Sequence, residues 1–248
     1  MIIMSPATSL LLAGLIFAAA LLYSTVGHAG ASGYLAALAL FGVVPAVMKP
    51  TALILNILVA TITTIQFARA GHFRWKLLLP FAGLAVPCAF LGGGIRLEPS
   101  LYRPLIALVL VFSAVRLLWK SRSADGTIRP PAWWIALPIG AVLGFIAGLT
   151  GVGGGIFLSP VLLFCRWADV RTTAAVSAAF IWLNSVAGLL GHASAGLALP
   201  PQLSLWAAAA VTGGLLGSWW GSRQAQPAVL RQMLAAVLVI AGGKLLFP

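Results

Sequence analysis

At 248 residues, 61% hydrophobic and 7% charged, with a mean hydropathy of +1.07, the chain lies far outside soluble composition and inside that of a polytopic membrane protein. The net charge of +12 does not point to nucleic acid, because the 15 Lys and Arg are scattered through short loops and form no patch; they read as topology signals and as anchors for anionic headgroups of the bilayer. Cys88 and Cys165 stand far apart in separate apolar segments and support neither a disulfide framework nor a metal site.

The first apolar run, Leu10–Leu22, has no basic stretch before it and no small-residue cleavage site after it, so it is expected to be a membrane helix rather than a signal peptide. Apolar segments then follow in order: Ser9–Ser24, Tyr34–Val47, Thr51–Ala68, Leu77–Ile95, Tyr102–Trp119, Trp133–Leu149, Ile156–Cys165, Thr172–Leu190, Leu203–Trp220 and Leu230–Phe247. A spanning helix needs about 20 residues. The second and seventh segments fall short of that, and each follows a glycine-rich break: Ser24–Gly33 (STVGHAGASG) before the second, Thr150–Gly155 (TGVGGG) before the seventh. Trp75, Trp119, Trp133, Trp167, Trp206, Trp219 and Trp220 fall near segment ends, as an interfacial belt requires, whereas Trp182 is mid-segment and reads as packing.

The two sets of five segments correspond. Pro99–Leu118 overlays Pro227–Leu246 with Pro99/Pro227, Arg103/Arg231, Ala107/Ala235, the Val109-Leu110-Val111 run and Leu117-Leu118 identical, and Lys49-Pro50-Thr51-Ala52 matches Arg171-Thr172-Thr173-Ala174. The expected fold is therefore all-α and polytopic. It has about ten hydrophobic segments arranged as two five-segment repeats, 1–120 and 132–248, joined by a cytoplasmic linker at 121–131. An odd number of crossings inverts the second repeat. If all ten segments cross, one face carries Arg69, Arg74, Lys76, Arg116, Lys120, Arg122, Arg129, Arg166, Arg171, Arg223 and Arg231, and the other only Lys49, Arg96, Arg103 and Lys244. The richer face belongs in the cytoplasm, with both termini outside; re-entrant short segments make the split nearly even.

Open backbone at membrane depth must be buried in protein or line a watery cavity. The glycines admit two readings, close helix approach or a site in which the first amides of a short helix and the positive end of its dipole meet an anion. With two breaks, the expected ligands are backbone amides around Gly153, Gly154 and Gly155 and around Gly27, Gly30 and Ala31, with the hydroxyls of Thr25, Ser32 and Thr150 nearby. Asn56 and Asn184, amides within apolar helices, either line the pathway or bond helix to helix. His28 is the one titratable side chain in the first break and supplies either a proton-dependent charge or a neutral hydrogen bond. Lys49 and Arg171 read as snorkelling anchors or as anion collectors at opposite mouths. His192 is expected at the interface.

The only carboxylates, Glu98, Asp125 and Asp169, fall in loops, so no embedded acid is available for a carboxylate proton relay or a charged cation site. Neither a Gly-x-Ser-x-Gly elbow nor a His-Glu-x-x-His pair is present, and no catalytic residue, metal or cofactor is expected.

Gly151-Val152-Gly153-Gly154-Gly155 with Ser159-Pro160, the Val26–Leu35 counterpart, Arg171-Thr172-Thr173-Ala174 and the duplicated architecture together resemble the TauE/SafE (TSUP) family of membrane permeases for sulfite and organosulfur anions. The resemblance covers essentially the whole chain and implies transport, often export, of a small sulfur-containing anion across a bacterial inner membrane. The expected partners are that anion and the bilayer; substrate, coupling ion and oligomeric state are not written in the residues. Export by rocking one repeat against the other is the expected mechanism. A non-transporting membrane scaffold and an importer of the same anions are the alternatives.

Overall fold

The computed structural model describes residues 5–118, 131–194 and 197–223. The tenth segment, at 230–247, and the join at 121–131, Pro131 apart, lie outside the described residues. Within the described residues the regular structure is helical: α1 (Pro6–Ser24), α2 (Ala31–Leu40), α3 (Pro45–Arg69), α4 (Trp75–Gly94), α5 (Pro99–Leu118), α6 (Trp133–Thr150), α7 (Gly155–Phe164), α8 (Val170–Ala193) and α9 (Leu203–Gly221). Five of these, α1, α3, α4, α6 and α8, are long and apolar enough to cross a membrane. By contrast α2 and α7 have 10 residues each, about 15 Å of helix, half the hydrocarbon thickness.

Local chemistry sets the helix starts. Ser5 accepts the Thr8 amide at 3.2 Å and Pro6 occupies the first helical position of α1. Asp169 caps α8 through the amides of Arg171 and Thr172 at 2.9 and 3.0 Å. Partial burial pushes the Asp169 carboxyl up, but the Thr172 hydroxyl and these amides outweigh it and hold the group below the ordinary carboxylate range. Helix α3 differs from expectation: it begins at Pro45, within the expected second segment Tyr34–Val47, and runs through Lys49 and Pro50, which lie between the expected second and third segments. Pro50 forfeits one backbone bond, and the Lys49 ammonium finds carbonyl partners inside the protein.

The long helices pack backbone to backbone where glycines recur every fourth residue. A Cβ on Gly140, Gly144 or Gly148 of α6 would lie 2.0, 2.2 or 2.0 Å from the carbonyl oxygens of Phe81, Ala85 and Ala89 on α4. On α9, Gly213, Gly217 and Gly221 stand in the same relation to Phe17, Leu21 and Thr25 of α1, at 2.4, 2.0 and 2.1 Å. Residue numbers rise together in both pairs, so α6 runs parallel to α4 and α9 parallel to α1. Helices α3 and α8 cross in opposite directions, with Asn56 against Ser185 and Phe67 clustered with Ala174 and Ala175. Each of the two glycine seams thus joins a helix from the first half of the chain to one from the second.

Two tryptophans depart from expectation, Trp206 from the interfacial belt and Trp182 from internal packing. Trp75, Trp133 and Trp219 are exposed, as interfacial residues are, but Trp206 is only 1% exposed and sits in the core with Leu12 and Tyr34. Trp182 is 38% exposed and lines an apolar groove with Thr61, Phe73 and Trp75 instead of packing internally.

Candidate functional site

The two breaks have the same construction. Helix α1 ends at Ser24 and the chain turns through Gly27 at φ +80 to Gly30 at φ +108, the residue that precedes α2. Helix α6 ends at Thr150 and the chain turns through Gly151 at φ +83 and Gly153 at φ +80 to Gly154 at φ +83, which precedes α7. Gly30 and Gly154 are both N-caps in the left-handed region, where a Cβ is strained, and neither has a side-chain cap. Neither glycine offers the side-chain acceptor that caps the opening amides of other helices, although in α7 the Phe157 amide already donates to the Gly154 carbonyl at 3.1 Å.

The breaks meet. His28 Nε2 lies 3.1 Å from the Gly155 carbonyl oxygen and 3.0 Å from Ser159 Oγ, and Ser159 Oγ lies 2.9 Å from Ser177 Oγ on α8. A carbonyl only accepts, so the proton of that ring nitrogen sits on Nε2 and is donated toward α7. Ser32 donates to the Tyr23 hydroxyl at 2.7 Å, and Tyr34 donates to the Ala29 carbonyl, which fixes the first break internally. Gly30, Ala31, Ser32 and His28 share one small cavity with Val152, Ile156 and Ile181, about 10 Å³ in volume. That is about the space of one water probe. As it stands the cavity has no room for a small oxyanion.

Asn56 also reaches the second break. Its Nδ2 donates to the Val152 carbonyl and to Ser185 Oγ, each at 3.4 Å, and a Cβ on Gly153 would lie 3.0 Å from that nitrogen. Asn184 is turned to its own helix, donating to the Phe180 carbonyl at 2.9 Å, so the structure does not bring it to the breaks by any hydrogen bond of its amide nitrogen. The hydroxyls of Thr25 and Thr150 donate to the carbonyls of Leu22 and Ile146, at 2.6 and 2.7 Å. Thr150 stays at the break through its hydroxyl oxygen, which accepts the Val152 amide at 3.4 Å, and through its carbonyl, which accepts from Tyr102 at 3.0 Å.

Sequence reasoning missed Ser177, Ser185, Tyr23 and Tyr102, and quoted Ser159 only within a motif. Ser177, Ile181 and Ser185 recur every fourth residue on α8, and that one-face pattern of small and polar residues was the available signal. The basic residues were also misread as forming no patch. Lys49, Arg96, Arg103 and His192 line one cavity of about 570 Å³ beside the second break. Lys49 is only 4% exposed; its ammonium donates to the carbonyls of Gly93, Gly92 and Ile95 at 2.9, 3.3 and 3.4 Å, capping the end of α4. Arg171, its counterpart by sequence, is exposed, and His192, expected at the interface, is buried. Among the described residues no group of three or more His, Cys, Asp or Glu is placed to hold a metal.

The family described as Sulfite exporter TauE/SafE matches residues 11–245. The chain is 43% identical over 235 residues to a protein of Sinorhizobium fredii named Probable membrane transporter protein y4hK, covering 93% of this chain and 95% of the relative. It is 28% identical over 268 residues to Probable membrane transporter protein YjnA of Bacillus subtilis, covering 96% and 99%. No solved structure matches.

Proposed function

We propose, on the premise that this chain belongs to the TauE/SafE family of membrane transporters, that it moves a small sulfur-containing oxyanion, sulfite or a sulfonate, outward across a bacterial inner membrane by alternating access. The observation that carries the reading is the meeting of two half-helices, each opened by a left-handed glycine, across the His28–Gly155 contact. Two dipole ends and two sets of opening amides at one point favour negative charge without needing a cationic side chain. The amides of Ala31 and Ser32 and of Gly153, Gly154 and Gly155 are the proposed anion ligands, with Gly27 and Gly30 shaping the first turn and His28 and Asn56 bordering the site.

Direction follows from charge. Moving one negative charge outward, down an inside-negative potential, releases about 2.3 kcal/mol per 100 mV, so export proceeds without a coupling ion. The proposed architecture is an inverted repeat with both termini outside. It is supported by the equal length of α2 and α7 and by the antiparallel crossing of α3 and α8, each the third helix of its half.

The test is sulfite efflux from proteoliposomes holding the wild-type protein or G154L. A side chain at Gly154 must adopt φ +83 and place its Cβ 2.9 Å from Phe180 Cε1, so G154L is expected to abolish flux at matched abundance. Wild-type vesicles that lose no sulfite faster than empty ones would overturn the reading.

A further inference from the structure

We propose that the cavity of about 570 Å³ lined by Lys49, Arg96, Tyr102, Arg103 and His192 is a second oxyanion site, a vestibule in which the bound anion takes the Lys49 ammonium from the carbonyl end of α4. The ligand class rests on the transport reading; the site itself rests on the arrangement of its own residues.

The volume falls within the 300–1,000 Å³ of small-molecule sites. None of its lining residues is acidic. Two guanidinium groups, an ammonium and an imidazole gathered around one concavity with apolar walls raise the local concentration of anions, and the planar guanidinium fork matches an oxyanion in two hydrogen bonds. The Lys49 charge is the telling member. It is buried, and its three partners are carbonyl dipoles, which satisfy its hydrogens but leave its charge unneutralised. An anion in the cavity is the better partner.

The vestibule also adjoins the break. Tyr102 lines it and donates to the Thr150 carbonyl where α6 ends. A Cβ on Gly151 would lie 3.1 Å from Lys49 Cγ. Drawing Lys49 toward an anion therefore releases the Gly92–Ile95 end of α4 and moves a side chain packed on the second break. Lys49, Arg96 and Arg103 are the described members of the face poor in basic residues, which the charge bias places outside the cell. There the vestibule receives the outgoing anion, and external oxyanion inhibits further efflux.

The experiment measures binding of radiolabelled sulfate to purified protein in neutral detergent, and sulfite efflux from phosphatidylcholine vesicles with and without phosphatidylglycerol. Each guanidinium removed forfeits charge-assisted bonds, so R96Q and R103Q, both at exposed positions, are each expected to weaken sulfate binding roughly tenfold. K49Q is expected to lose binding, with K49R restoring it. External sulfate should slow efflux by the wild type and not by the R96Q/R103Q double variant. If phosphatidylglycerol displaces sulfate from the wild type, the same groups are holding a lipid headgroup phosphate, and the oxyanion site stands with the lipid as its source. Folded R96Q/R103Q binding sulfate as tightly as the wild type overturns the proposal whatever the flux. Absent sulfite flux with binding that depends on Arg96 and Arg103 leaves the vestibule standing and sinks the transport reading instead.

Discussion

In the proposed site, Asn56 is the position where charge, rather than size, is expected to matter. Its amide nitrogen faces the Val152 carbonyl, and its Oδ1 is buried without a partner. Exchanging the amide for an isosteric carboxylate puts a negative charge beside the donors proposed to hold the anion. N56D is therefore expected to cut sulfite efflux at least about tenfold, while N56S retains most of it; like charges at about 4 Å repel by roughly 4 kcal/mol near a protein surface. Equal efflux by N56D and the wild type, at matched abundance, excludes Asn56 from the pathway. Which residues of the site were legible divides by chemistry. The glycines were, because left-handed backbone at membrane depth has few other residues to use, and so was His28. Hydroxyl roles were not: Thr25 and Thr150 turn to their own helix carbonyls, the ordinary choice of threonine in a helix. Ser159 and Ser177 instead pair across helices, and a sequence does not reveal which rotamer wins.

At the scale of elements, helix existence followed from hydropathy, and the breaks located α7 to within one residue and the start of α2 to within three, while α2 ends seven residues before the expected Val47. The seams did not emerge, although Gly140, Gly144 and Gly148 were visible at four-residue spacing, because spacing names a face and not the helix that meets it. Their stability role is testable against an internal control. A side chain at Gly144 must displace the Ala85 carbonyl 2.2 Å away, whereas one at Gly14 meets nothing within 4 Å. Overpacking of this kind costs roughly 1–3 kcal/mol, with roughly 2–4 °C of melting temperature per kcal/mol for a chain of this size. G144L is accordingly expected to melt in detergent about 5 °C or more below the wild type and G14L within about 1 °C of it; equal melting of the two variants removes the seam from the stability account. Because the seams couple α6 to α4 and α9 to α1, the rigid units draw helices from both halves. Rocking of one sequence half against the other, the expected motion, would have to tear both seams. Movement at α2 and α7, whose glycine turns adopt left-handed backbone without strain, leaves them whole.

For the molecule as a whole, orientation in the bilayer is the property that packing alone leaves open, since the same bundle inserts either way up. The charge bias supplies a prediction: Arg166 and Arg171 flank the α7–α8 turn on the face rich in basic residues, which is expected in the cytoplasm. Cys165 is exposed at that turn. In a C88S background, a membrane-impermeant maleimide is expected to label Cys165 in inside-out vesicles and not in intact cells; labelling of intact cells reverses the topology and, with it, the direction assigned to transport.

The glycine seams also impose an order on biogenesis. Helix α1 is made well before α9, yet the surface that covers its Phe17, Leu21 and Thr25 carbonyls belongs to α9, nearly two hundred residues later in translation. Early helices must wait in lipid, their own backbone bonds made and their close-packing edges bare, until the ribosome has delivered most of the chain. Insertion and assembly are thus separated in time by the order of the helices, and a nascent chain stalled halfway presents two unfilled grooves to whatever membrane chaperone or neighbouring helix reaches them first.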